Sequence, residues 1–202
     1  MGIRFENVSK KFGENIVLHD FSLVLPDSGI VAFLGPSGRG KTTLLRLLAE
    51  LDSPSGGRVI SDFSRLTYVF QEDRLLGGVT ALGNILAVLD KKDDAFAMLW
   101  LTRMGLSDSA HLLPGELSGG MRRRLAIARA MAYGGDLVLL DEPFAGLDEL
   151  TRLSIYPFLF DKNDHTKLTI LVTHDRNEAL RVADRLIVLQ GPVLHIAEDL
   201  II

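Results

Sequence analysis

Gly35, Gly40, Lys41 and Thr42 stand at the spacing G-x-x-x-x-G-K-[ST] within "FLGPSGRGKTTLLRLL". Glycines at these places let the backbone wrap closely around a polyphosphate. The N–H groups at the start of the following helix supply a positive field. The spacing puts Lys41 on the β- and γ-phosphates and the Thr42 hydroxyl on a Mg²⁺ ion. Gly35, Pro36, Ser37, Gly38, Arg39, Gly40, Lys41, Thr42 and Thr43 together form the candidate cradle, and the residue type of Arg39 suggests no role of its own. "LVLLDEP" ends an apolar run in Asp141, a carboxylate suited to sit beside the metal through a water. Glu142 follows, placed to polarise a water for in-line attack. "LVTHD" sets His174 at the end of another apolar run, where it reads as a contact to the terminal phosphate. His19, His111, His165 and His195 read as structural or solvated.

A second anion-binding pattern lies in "ELSGGMRRRLAIARA", residues 116–130. Ser118, Gly119 and Gly120 open a helix whose first N–H groups lack intrahelical partners, and such a start holds an anion. Ser118 as a plain N-cap is the alternative. Helical spacing sends Arg122, Arg123 and Arg124 in different directions, with Met121, Leu125 and Ala128 as the apolar stripe. The run is expected to be a solvated or interface face, not a nucleic-acid contact.

These residues need a frame. The runs "GIVAFLG" (29–35), "DLVLLDEP" (136–143), "LTILVTHD" (168–175) and "RLIVLQG" (185–191) read as strands of a parallel sheet buried on both faces. Ligands sit where such strands end. "IRFENVSKKF" and "FSLVLP" alternate more and read as a smaller antiparallel layer. From about 72 to 133 the apolar spacing turns helical, with Trp100, Met98 and Met104 as packing residues. The expectation is one domain over 1–202, its core at about 1–71 and 134–202 and its helical subdomain at about 72–133. Pro157 falls in a helix and should kink or end it. A length of 202 residues with 47% hydrophobic and 24% charged residues is globular, and no apolar run reaches the ~20 residues of a membrane span. The formal charge of −4 argues against nucleic acid as the main partner. The start shows no apolar signal region, and the absence of cysteine fits a cytoplasmic home.

Five motifs in this order, "GPSGRGKTT", "YVFQE", "LSGGM", "FAGLD" and "THD", resemble the ATP-binding-cassette ATPases over nearly the whole chain. The resemblance implies an α/β P-loop NTPase with a RecA-like parallel core, an antiparallel β layer and an inserted helical subdomain, using ATP and Mg²⁺. It implies that Gln71 senses metal and attacking water, that Asp148 lies in the loop after the catalytic strand, and that His174 is a histidine switch. Phe12 falls where the family stacks an aromatic residue on adenine, though a core role is open. In the family two cassettes pair head to tail, so Ser118, Gly119 and Gly120 would close over ATP held by a second copy or a homologous ATPase. The stretch "VFQEDRLLGGVTALGNILAVL" is similar to importers of nitrate, sulfonate, taurine and thiamine-like compounds. That implies integral-membrane permease subunits as partners, a solute-binding protein indirectly, and a peripheral place on the cytoplasmic face of the cell membrane. The end at "VLHIAEDLII" leaves no room for a regulatory C-terminal domain. An ATPase for lipoprotein release or cell division is the alternative, while "LSGGM" argues against a P-loop kinase.

Overall fold

In the computed structural model, which describes residues 2–202, the four apolar runs become β3 (Gly29–Leu34), β6 (Leu137–Asp141), β7 (Leu168–Thr173) and β8 (Arg185–Gln190). They lie side by side in the order β6-β7-β3-β8, all parallel. The short β5 (Leu66–Val69) extends one edge in parallel, and β9 (His195–Ile201) extends the other antiparallel to β8. A separate sheet holds β1 (Arg4–Phe12), β2 (Asn15–Val24) and β4 (Gly56–Ile60), antiparallel, in the order β2-β1-β4.

Burial explains both the pattern and its alternation. In β3, Ile30, Ala32 and Leu34 face one hydrophobic cluster while Val31 and Phe33 face the other. The first cluster joins the sheet to α2 (Ala81–Leu86), α3 (Asp94–Arg103), α4 (Gly119–Tyr133), α5 (Glu149–Leu159) and α6 (Arg176–Val182). Trp100 and Met104 are buried in it, as packing residues should be. The second sandwiches α1 (Lys41–Leu48) between the large sheet and the inner face of the antiparallel one, through Phe5, Leu18, Phe21, Leu44 and Leu45.

Residues 81–133 are helical wherever they are regular, including two short 3₁₀ turns at 107–109 and 114–116. Helix α5 passes through Pro157 and ends two residues beyond it, its last bond running from Phe160 N–H to Tyr156 O at 2.9 Å. Among the described residues no helix is long and apolar enough to cross a membrane.

Register positions the strand ends. Leu34 pairs with Thr173 and Asp141 with Val172, so β3, β6 and β7 finish at one level. Gly35, Glu142 and His174 are the residues that emerge there.

Asn84, fully buried in α2, ties down the segment that leads into the helices. Its amide accepts from Leu76 N–H at 2.9 Å and donates toward the carbonyls of Leu76, Val79 and Thr80 at 2.9–3.1 Å. Asn84→Ala leaves several of these groups unpaired. Urea unfolding is expected to show a loss of about 3 kcal/mol with an unchanged slope.

Candidate functional site

The loop from Gly35 to Gly40 joins β3 to α1, and its backbone can be built only with glycine at two points. A Cβ on Gly35 would lie 2.4 Å from Leu189 O. Gly40 has φ of 96° and a Cβ there would meet Val17 Cγ1 at 2.5 Å. Gly40 is also the N-cap of α1 and offers no side-chain acceptor, so the first N–H groups of the helix stay available to an anion. Lys41 is buried, with Nζ donating to Gly35 O at 2.7 Å and Pro36 O at 2.8 Å. Burial lowers its pKa, opposed by Glu142 and Asp141. The ammonium is thus held inside the loop that would wrap the phosphates.

Across the strand ends, Thr42 Oγ1 donates to Asp141 Oδ1 at 3.2 Å and Tyr68 Oη to Asp141 Oδ2 at 3.4 Å. Asp141 is 2% exposed, and burial pushes its carboxyl pKa up. Both oxygens meet hydroxyls, and among the described residues neither is within ion-pair distance of a cationic side chain, with Lys41 acting on the carboxylate from farther off. A divalent cation fits this donor set, because it supplies direct counter-charge beside a hydroxyl and a carboxylate. Among the described residues no cluster of three His, Cys, Asp or Glu could bind a metal alone. A Mg²⁺ site completed by phosphate oxygens and water needs no such cluster.

Glu142 takes the left-handed region with φ of 47°, a strained choice for a residue with a side chain. Its N–H donates to Val172 O at 3.0 Å, and Oε2 lies 2.8 Å from His174 Nδ1. The Glu142 side chain is 14% exposed and that of His174 is 63% exposed. They line one cleft of about 190 Å³ with Gly146 and Thr173. The two residues expected to act on the terminal phosphate and its attacking water therefore touch each other.

The other expected residues are more scattered. Ser118 is the N-cap of α4, accepting from Met121 N–H at 3.2 Å, and Gly119 and Gly120 carry no side chain over that helix start. Asp148 is the N-cap of α5, accepting from Thr151 N–H and Oγ1 at 2.9 and 2.7 Å. Phe12 is 48% exposed at the end of β1 with Lys10 Nζ 4.7 Å from its ring centre, so it is not a core residue. Gln71 is exposed, and Arg39, Ser37 and Gly38 are exposed on the phosphate loop.

At Arg123 the structure corrects the expectation of a solvated or interface face. Arg123 is 4% exposed. Its guanidinium donates to the carbonyls of Phe70, Gln71, Asp141, Glu142 and Pro143 at 2.5, 3.2, 3.2, 2.8 and 2.7 Å. Asp73 Oδ1 lies 3.5 Å away, and burial lowers the arginine's pKa against that pull. Arg122 donates to Leu117 O, and Arg124 to Met104 O and Gly105 O. Position 123 shares the buried side of α4 with Ile127 one turn on, and only a planar five-donor fork satisfies so many converging carbonyls. Sequence reasoning also missed Tyr68. The signal was present: in "TYVF" Tyr68 of β5 and Phe70, one residue past the strand's end, stand two apart, and their rings stack at 4.0 Å.

Residues 18–145 match the family model described as "ABC transporter". The chain is 40% identical over 197 residues to an aliphatic sulfonates import ATP-binding protein of Burkholderia thailandensis, covering 94% of this chain and 58% of that one. It is 41% identical over 202 residues to another such protein from Paracoccus denitrificans, covering 98% and 82%. Among solved structures, a dimeric ATP-binding cassette in a post-hydrolysis state with ADP and Pi superposes with a TM-score of 0.86 at 30% identity, covering 98% of both chains. A bacterial exporter of the Atm1 family with ATP bound gives 0.85 at 27% identity, covering 98% of this chain and 38% of that one. The chain belongs to the ABC transporter family and has the fold of its ATPase cassettes.

Lys41→Ala removes the only ammonium inside the phosphate loop. Titration with ATP is expected to show an affinity at least about 100-fold weaker, as fits loss of a charge-assisted contact to phosphate.

Proposed function

We propose that this chain is the ATP-binding and hydrolysing subunit of a multi-subunit transporter of the importer type, working as a head-to-tail pair around two ATP molecules. The observation that carries the hydrolytic reading is the Glu142–His174 contact of 2.8 Å, standing next to Asp141 and Thr42 at the level where the phosphate loop begins. The N–H groups of the loop and Lys41 hold the phosphates. Thr42, Asp141 and Gln71 hold Mg²⁺, which when bound offsets phosphate charge. Glu142 accepts hydrogen bonding from the attacking water and polarises it, and His174 holds that carboxylate in place while its exposed edge reaches the terminal phosphate. Phe12, exposed on β1, stacks on the adenine.

The exposed start of α4 completes the site across the pair. Ser118, Gly119 and Gly120 present free N–H groups, and one phosphate loop already serves this chain's own nucleotide. The dimeric cassette with ADP and Pi supports this pairing. The chain spans 58% of the length of one sulfonate importer relative and 82% of another, so the match concerns the cassette. Membrane permease subunits bring the cell-membrane location and, with a solute-binding protein, the choice of cargo. Relatives named for aliphatic sulfonates and for sulfate or thiosulfate support the importer reading.

Glu142→Gln keeps the shape and loses the charge. ATP affinity should stay within about threefold of wild type while kcat falls at least about 100-fold, and an ATP-bound dimer should accumulate on size exclusion with Mg²⁺. Full activity in this variant would move the catalytic role to another residue.

Mixing two inactive proteins tests the pairing. In a mixed dimer of Lys41→Ala and Ser118→Arg, one composite site has both an intact phosphate loop and an intact α4 start. Some hydrolysis or nucleotide-dependent dimerisation should return on mixing. If neither returns while wild type shows both, Ser118 does not serve the partner's nucleotide.

A further inference from the structure

Arg123 has no part in the chemistry above, yet it is the most heavily bonded side chain near the site. We propose that Arg123 is a positioning residue that links the phosphate-facing start of α4 to the water-activating groups of its own chain. This rests on the ATPase reading given above.

The connection is short and stiff. Ser118, Gly119 and Gly120 begin α4, and Arg123 leaves the same helix just over one turn later. Its five carbonyl acceptors come from two segments only. Phe70 and Gln71 belong to the segment that carries the candidate metal and water sensor, while Asp141, Glu142 and Pro143 belong to the one that carries the candidate base. One planar group therefore fixes both segments relative to α4.

Glu142 shows what this fixing does. Its left-handed backbone is held on one side by N–H to Val172 O at 3.0 Å. On the other side its carbonyl accepts from Arg123 Nη2 at 2.8 Å. With both ends of the residue bonded, the backbone fixes where its side chain starts, and the carboxylate meets His174. Because the buried guanidinium has its donors engaged by both segments, movement of the α4 start is transmitted to the backbones of Glu142 and Gln71. A phosphate seated by the partner at Ser118 to Gly120 would thereby act on the hydrolytic groups of this chain, coupling the two ATP sites.

Arg124 is the control, since it caps carbonyls of Met104 and Gly105 at the end of α3 and touches neither segment. The test compares wild type, Arg123→Gln, Arg123→Lys and Arg124→Gln for ATP affinity, kcat, Hill coefficient and Tm. Arg123→Gln should keep ATP affinity within about threefold while kcat falls about 100-fold, the scale set by small misplacement of reacting groups, and its Hill coefficient should fall toward one. Arg123→Lys keeps the charge without the fork and should recover little of the kcat. Arg124→Gln should lower Tm with kcat unchanged. The proposal is overturned if Arg123→Gln retains kcat within about threefold, or if kcat falls in step with Tm in both the 123 and 124 variants. Failure of both Arg123 variants to fold also overturns it, because a positioning contact must be separable from folding. A wild-type protein that neither binds nor hydrolyses ATP defeats the ATPase reading itself, and the positioning role with it.

Discussion

The carboxyl ends of β3, β6 and β7 finishing at a common level is the constraint on which everything else depends. Parallel pairing sets Leu34 beside Thr173 and Asp141 beside Val172, so the next residues of all three strands leave the sheet side by side. A slip of one residue in any of them would turn the alternate buried side chains to the wrong cluster. It would also carry Asp141 away from Thr42. The two hydrophobic clusters that grip β3 from opposite faces are therefore what keeps a hydroxyl and a carboxylate 3.2 Å apart.

On that level the local backbone concentrates its costs. Gly40 adopts a conformation with no room for a side chain, and Glu142 adopts one that a side chain resists. Asp141 is a carboxylate buried among neutral hydroxyl partners, and Lys41 is an ammonium pressed against two carbonyls of its own loop. The two buried charges are less comfortable than apolar side chains would be. Each is offset by neighbours whose packing is fixed from elsewhere, which is how unfavourable local choices persist in a folded chain.

The sequence made some of this plain and hid the rest, for physical reasons. The phosphate loop was legible because glycines, lysine and threonine act within one short segment, and the four central strands because burial on both faces writes continuous apolar runs. β4, β5 and β9 were not anticipated. β4 and β9 are edge strands with mostly exposed residues, and β5 has only four residues. Arg123 was misread because its acceptors lie 18 to 53 residues away in sequence, and a carbonyl carries no mark of its residue type. His174 was anticipated at the strand end, whereas its contact with Glu142 depends on β7 lying beside β6, which spacing alone does not state.

The two edges of the large sheet bear on reversibility. β5 offers only four residues to a newcomer, while β9 carries Glu198 and Asp199, held in ion pairs with Arg176 and Arg185. Short or charged borders of this kind discourage the growth of a sheet from one molecule into the next. The large sheets of two copies then have no ready route to a continuous strand-to-strand seam, whose many backbone bonds would separate slowly. In the proposed head-to-tail pair, contact falls to loops and helix ends, whose few bonds can form and break within a turnover. A pair that, as proposed, must let go as often as it closes is better served by borders that do not stick.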